Sequence, residues 1–134
     1  EDMATALSNI SAATDVSGFG DRDLVIEAVF EDEKVKADVY KQLDAVCKDD
    51  AIIASNTSSI SITVLASYFS EKRQSRFLGL HFFSPVSRMK LVEVIRGMDT
   101  DDDVIAIARD ACIEAGNRAG RGWYRYDEKG KRVA

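Results

Sequence analysis

A single histidine, a single proline and two cysteines are all that the 134 residues hold of those types. Each scarcity removes a class of protein. Cys47 and Cys112 lack metal-ligand spacing and fall on predicted helical faces, so neither a metal site nor a disulfide framework is indicated. They read as reduced core residues of an intracellular, cytoplasmic protein, with a disulfide between them left open. No apolar run approaches the roughly 20 residues of a membrane-spanning helix. The 18 Lys and Arg are outnumbered by 23 Asp and Glu, a net charge of −5 with no basic cluster, which argues against nucleic acid as a partner. No secretory or transit-like start is visible, and Glu1-Asp2-Met3 reads as the middle of a helix. Nor is there a Gly-x-Gly-x-x-Gly loop. Gly18-Phe19-Gly20 lacks its spacing and precedes a strand instead of following one.

What is present is a globular composition, 46% apolar and 31% charged, in a chain of one domain's length. Met3 to Ile10 reads as the end of a helix, with a short strand around 11–14. Leu24-Val25-Ile26, leading into Glu27-Ala28-Val29, suits a strand buried on both faces of a parallel sheet. A helix follows from about Asp32 to Cys47, with Val35, Val39, Leu43 and Val46 at inward spacing. The next strand is Ala51–Ser55, and a shorter helix spans Ser61–Phe69 with Ile62, Leu65 and Phe69 inward. Phe77–Phe83 and Leu91–Ile95 read as two more strands. Thr100 and Asp103 have the form of a capping box that opens a helix through Ile105 and Ala108. This alternation predicts a doubly wound α/β sheet with an antiparallel edge strand at its end.

His81, the lone histidine, lies in Leu80-His81-Phe82-Phe83, and Glu93 is the lone acid in Leu91-Val92-Glu93-Val94-Ile95. If these runs form a hairpin about Ser84–Lys90, residues whose numbers sum to 174 oppose each other, and His81 meets Glu93. Opposed side chains have Cβ atoms roughly 4.5–5.5 Å apart. A carboxylate beside an imidazole favours its charged form and fixes its tautomer, as general acid/base work near neutral pH requires. The plainer reading is a core histidine satisfied by a neighbouring acid.

Three further motifs bear on that choice: Asp23-Leu24-Val25-Ile26-Glu27-Ala28-Val29-Phe30-Glu31, Ser55-Asn56-Thr57-Ser58-Ser59-Ile60 and His81-Phe82-Phe83-Ser84-Pro85-Val86. With Met89–Ile95 they closely resemble, in order and spacing, the NAD-binding domain of the L-3-hydroxyacyl-CoA dehydrogenases. The likeness runs through about Asp103. It implies a Rossmann-like, mostly parallel doubly wound sheet lacking its first βαβ phosphate-loop segment. It also implies NAD as cofactor, an acyl-CoA as substrate, and oxidation of L-3-hydroxyacyl-CoA to 3-ketoacyl-CoA in fatty-acid β-oxidation. Residues 1–116 would be a partial NAD-binding domain. Residues 117–134, with Asn117–Asp127 rich in Gly, Arg and aromatics, resemble the C-terminal end of the family's helical domain in its multifunctional branch. A homodimer, or fusion to an enoyl-CoA hydratase domain, belongs to that picture of the complete protein.

By the same resemblance His81 is the general base for the 3-hydroxyl, Glu93 orients its imidazole, and Ser58 binds the substrate oxygen. A serine suits that task because it can donate to a carbonyl or accept from an alcohol. Glu31, Lys36, Asn56 and Ala28 match positions on the cofactor side. Asn56 also lies at the carboxyl end of a strand, where open α/β sheets bind ligands. Plainer readings stand beside these. Asn-Thr-Ser-Ser is a common turn or helix start, and Glu31 and Lys36 suit the first turn and the solvated face of a helix. Ser84 stands where many members carry asparagine, which puts any amide contact to the cofactor there in doubt.

The missing phosphate loop would deprive a pyrophosphate of backbone amides and a helix N-terminus. The family's Pro-Gly-Phe…Asn-Arg segment and its closing helical domain are also not found. The sequence therefore predicts the acid/base centre of a dehydrogenase within a portion of the enzyme. The alternative is a non-catalytic fragment or interaction module of the same fold. A Ser58–His81–Glu93 hydrolase lacks a nucleophile elbow around Ser58.

Overall fold

Four apolar runs assemble side by side in the order β1-β2-β3-β4: Leu24–Glu27, Ile52–Ser55, Phe77–Phe82 and Val92–Ile95. The computed structural model describes residues 2–118, 125–126 and 132–133. β1 runs parallel to β2 and β2 parallel to β3, whereas β4 returns antiparallel to β3. The helices are α1 (Met3–Ser8), α2 (Glu33–Val46), α3 (Ile62–Ala66), α4 (Glu71–Gln74) and α5 (Asp102–Arg118). The tail expected at 117–134 falls largely outside the described residues. Within it, Arg125–Tyr126 (β5) pairs antiparallel with Arg132–Val133 (β6).

Side-chain alternation along each strand divides the core into two layers. On one face Val25, Ile53 and Phe77 pack with Tyr40 and Leu43 of α2, Ile62 and Leu65 of α3, and Phe69. On the other, Ile52, Ala54, Leu78 and Leu80 pack with Val104, Ala108 and Cys112 of α5. β2, sandwiched between two strands and two layers, is buried at every position. Gly79 belongs to the first face, and any Cβ there would lie 2.8 Å from Ile62 Cδ1 and 2.9 Å from Ile95 Cβ. The missing side chain lets the start of α3 rest directly on β3. Cys47 and Cys112 are both free and buried, one in each layer, so the sheet itself keeps them apart. Burial pushes both thiols up.

Several details depart from the sequence expectation. Residues 11–14 form no strand. β1 is buried on one face only: Val25 and Glu27 point inward, while Ile26 is 42% exposed. β1 is one of the two edge strands, and α5 packs instead over β3 and β4, too far across the sheet to cover Ile26. The inward stripe of α2 is rotated from the expected one. Lys36, Ala37, Tyr40 and Leu43 are buried, and Val35 is exposed. A lysine leads that stripe because a carboxylate awaits it beneath the helix. The capping box at Thr100 does not form either. Its hydroxyl donates to the Phe77 carbonyl at 2.7 Å and accepts from the Gly97 amide, and Asp103 pairs with Arg76.

Among the described residues no helix is long and apolar enough to cross a membrane.

Candidate active site

The carboxyl ends of β1, β2 and β3 all lie on one edge of the sheet, and the site residues are found there. The β3–β4 register places His81 opposite Glu93, as the sum of 174 requires. Nδ1 of His81 lies 2.9 Å from Oε2 of Glu93. When the carboxylate is ionised, Nδ1 carries the proton and donates, leaving Nε2 as the basic nitrogen. The His81 ring rests tilted against Phe83 at a centroid distance of 4.6 Å. The setting is less apolar than the sequence implies. The His81 side chain is 18% exposed but that of Glu93 is 48%, because β4 is the outer strand.

Alternation puts His81 and Glu93 on the same face as Glu27 and Ser55. The apolar layer on that face thus gives way to polar residues at the carboxyl edge. Asn56 follows β2, and its Oδ1 accepts from the Phe82 amide at 2.8 Å, beside His81. Its own amide donates to the Glu27 carbonyl at 2.8 Å. Asn56 therefore ties together the ends of β1, β2 and β3.

Glu31, just beyond β1, gathers the turn that carries Ser58. Its Oε1 accepts from the Thr57 hydroxyl, from the Ser58 amide at 3.1 Å, and from the Ser59 amide and hydroxyl at 3.4 and 3.2 Å. Burial works against its charge, but the bonds from Thr57, Lys36 and Ser58, together with the Lys36 charge, win and hold its pKa at about 2. Ala28 is exposed on the segment between Glu27 and Glu31.

Lys36 departs from both of its expected settings. It is neither on a solvated face nor open to a ligand, with a side chain only 1% exposed. Its ammonium lies 2.7 Å from Glu27 Oε1 and 3.3 Å from Glu31 Oε2. Sequence reasoning missed Glu27 and Thr57, both buried. A signal was present: Glu27 is the only acid in the run Leu24–Val29, at the inward parity of Val25.

A family model described as 3-hydroxyacyl-CoA dehydrogenase, NAD binding domain, matches residues 1–119. The chain belongs to this family. It is 53% identical over 97 residues to a 3-hydroxybutyryl-CoA dehydrogenase of Clostridioides difficile, a match covering 72% of this chain and 34% of the relative. It is 50% identical over 104 residues to the fatty acid oxidation complex subunit alpha of a Psychrobacter species, covering 78% of this chain and 14% of the relative. Among solved structures, the (S)-3-hydroxybutyryl-CoA dehydrogenase of Ralstonia eutropha superposes with a TM-score of 0.79 at 42% identity. That match covers 89% of this chain and 40% of the other. The domain thus has the Rossmann-like fold of NAD-dependent dehydrogenases and spans well under half the length of these relatives.

NAD is what a binding domain of this family takes. The exposed segment after β1, the Glu31 carboxylate and Asn56 stand at the carboxyl edge, where such folds bind ligands. The Gly-x-Gly-x-x-Gly motif that cradles a pyrophosphate is not in the 134 residues.

Proposed function

We propose that this domain serves the NAD-dependent oxidation of an L-3-hydroxyacyl-CoA to the 3-ketoacyl-CoA, in fatty-acid β-oxidation, as one portion of the enzyme. The observation that carries the reading is the His81 Nδ1–Glu93 Oε2 contact of 2.9 Å at the carboxyl edge of a parallel sheet. His81 Nε2 takes the proton of the 3-hydroxyl; NAD, held on the side of Glu31 and Asn56, would supply the acceptor for the hydride of C3. The products are the ketone, NADH and an imidazolium whose charge Glu93 balances. In the reverse direction the imidazolium returns its proton to the ketone oxygen. Ser58 holds the substrate oxygen, and Glu31, Asn56 and the Ala28 segment face the cofactor. Lys36 acts on that side only through Glu31.

We read residues 1–116 as part of the NAD-binding domain and 117–134 as akin to the end of the helical domain. Homodimerisation or fusion to an enoyl-CoA hydratase domain fits the likeness to fatty acid oxidation alpha subunits. A cytoplasmic setting fits two buried, unpaired thiols.

In the enzyme carrying this domain, His81→Ala should lower kcat by about 10²–10⁴-fold, with NADH affinity unchanged by calorimetry. Full turnover in that variant would sink the mechanism. The second reading is a non-catalytic module of the same fold, in which Glu31 and Lys36 serve only each other, at 3.3 Å. NADH binding that Glu31→Gln weakens would argue against it.

A further inference from the structure

Beneath the edge that carries Ser58 lies a buried polar cluster centred on Glu27, to which the reaction above gives no role. Glu27, 4% exposed, accepts four hydrogen bonds. Its Oε1 takes them from Lys36 Nζ at 2.7 Å and the Val29 amide at 2.8 Å, and its Oε2 from the Tyr40 and Ser55 hydroxyls at 2.7 Å each. The carboxylate is saturated and cannot turn. Lys36, held by it, has one other anionic neighbour, Glu31 Oε2 at 3.3 Å. Glu31 in turn spends its other oxygen on Thr57, Ser58 and Ser59. A continuous path therefore runs from the core of the sheet to the turn that presents Ser58.

Stability alone is a poor reason for this arrangement. Replacing a buried ion pair by well-packed apolar groups is often neutral or favourable, whereas deleting one partner is costly. What the cluster supplies is position. Glu31 is 39% exposed, and among the described residues its side chain is joined to the helix by no other bond than this one. Without the fixed ammonium, a flexible side chain would have to order the turn unaided.

We propose that Glu27 and Lys36 are positioning residues: together they fix the Glu31 carboxylate, which clamps the Thr57–Ser59 turn and sets the direction of the Ser58 hydroxyl. The consequence for substrate rests on the reading of Ser58 given above; the clamp itself does not.

The test is amide hydrogen exchange by nitrogen-15 NMR on the chain as it stands, comparing it with the double variant Glu27→Gln, Lys36→Met. That pair removes both charges together and keeps the volume of the cluster. Ser58 and Ser59 should exchange about 10-fold faster, the loss of roughly one net hydrogen bond, while Leu78 and Leu80 in β3 keep their protection. Unchanged exchange at Ser58 and Ser59, or acceleration shared equally by the β3 amides, would overturn the proposal. If the double variant does not fold, Glu31→Gln reads the last link without disturbing the core, and an unaltered turn in that variant would equally overturn it. In the full enzyme the double variant should raise the KM for acyl-CoA more than it lowers kcat. Ser58→Ala separates the two ideas. If it leaves kinetics intact while exchange responds as expected, the substrate reading fails and the clamp stands.

Discussion

Arg73 offers the most direct test of how this sheet is held together. It sits on α4, a helix of four residues, yet its side chain is only 1% exposed. Its guanidinium donates to the carbonyls of Lys48 at 2.8 Å, Ala51 at 3.0 Å and Cys47 at 3.0 Å, and reaches Asp44 Oδ1 at 3.3 Å. These acceptors end α2 and lead into β2, so one side chain closes the helix and fixes the approach to the central strand. Asp44 also accepts from the Ser70 amide at 2.9 Å, which seats the start of α4. Replacing Arg73 by Met keeps the apolar stem and removes every donor. Two buried carbonyls, of Cys47 and Ala51, then lose a partner at about 1–3 kcal/mol each. Asp44 loses its cation, but its exposure lets water compensate. The expected cost is about 3–5 kcal/mol, in line with breaking a buried ion pair. That is a large fraction of the roughly 5–15 kcal/mol that holds a domain of this size folded. Urea unfolding followed by circular dichroism should show the midpoint falling by about 2 M, at a slope of about 2 kcal/mol per M. Arg73→Lys should recover only a part, because one ammonium cannot span the diverging carbonyls of Cys47, Lys48, Asp49 and Ala51. A midpoint shift below about 0.5 M for Arg73→Met would mean that water satisfies these carbonyls and that the staple does little.

Two further outcomes follow from the site. Glu31 has a folded pKa depressed to about 2 from an ordinary 4.5, so its contribution to stability is present above 4.5 and drains away as pH falls from there towards 2. Urea midpoints should therefore drop between pH 5 and pH 3, and Glu31→Gln should flatten that slope; an equally steep slope in the variant would contradict the assignment. Glu93→Gln should leave stability nearly unchanged, the side chain being 48% exposed, yet lower kcat by about 10²-fold or more in the full enzyme. Wild-type kcat in this variant would show that His81 needs no orienting partner.

The hairpin register, a mostly parallel sheet with an antiparallel edge strand and the inward residues of the segment 61–69 are all legible in sequence, although α3 itself stops at Ala66, because each rests on short-range alternation or on residue types with one good use. Ile62, Leu65 and Phe69 are buried as their spacing implies. What misled was the treatment of charge as a sign of solvent. Residue type alone suits Lys36 to a cofactor-side contact or a solvated face, and helical spacing alone runs the stripe of α2 through Val35. Only the tertiary pairing with Glu27 makes the lysine the better inward residue, and no periodicity reports a partner nine positions upstream on another element. Thr100 departs from the capping-box pattern for a related reason. A hydroxyl near a helix start can cap that helix or reach across to another strand, and here the Phe77 carbonyl won.

The position of His81 shows why the placement of the imidazole and the folding of the sheet cannot be tuned separately in this domain. Its neighbours Leu80 and Phe82 point to the α5 layer, and Leu80 is completely buried there. A slip of one residue along β3 would exchange the two faces, pushing His81 into that apolar layer and Leu80 out of it. The apolar pattern therefore defends the orientation of the imidazole with the full burial energy of the strand. Gly79 defends it a second time, since only a residue without Cβ can sit between Ile62 and Ile95. Slipping by one would bring Leu78 or Leu80 into that contact, which has no room for either. Glu93 needs no such protection of its own. β4 is fixed by its ladder to β3, and the carboxylate follows wherever the histidine is held.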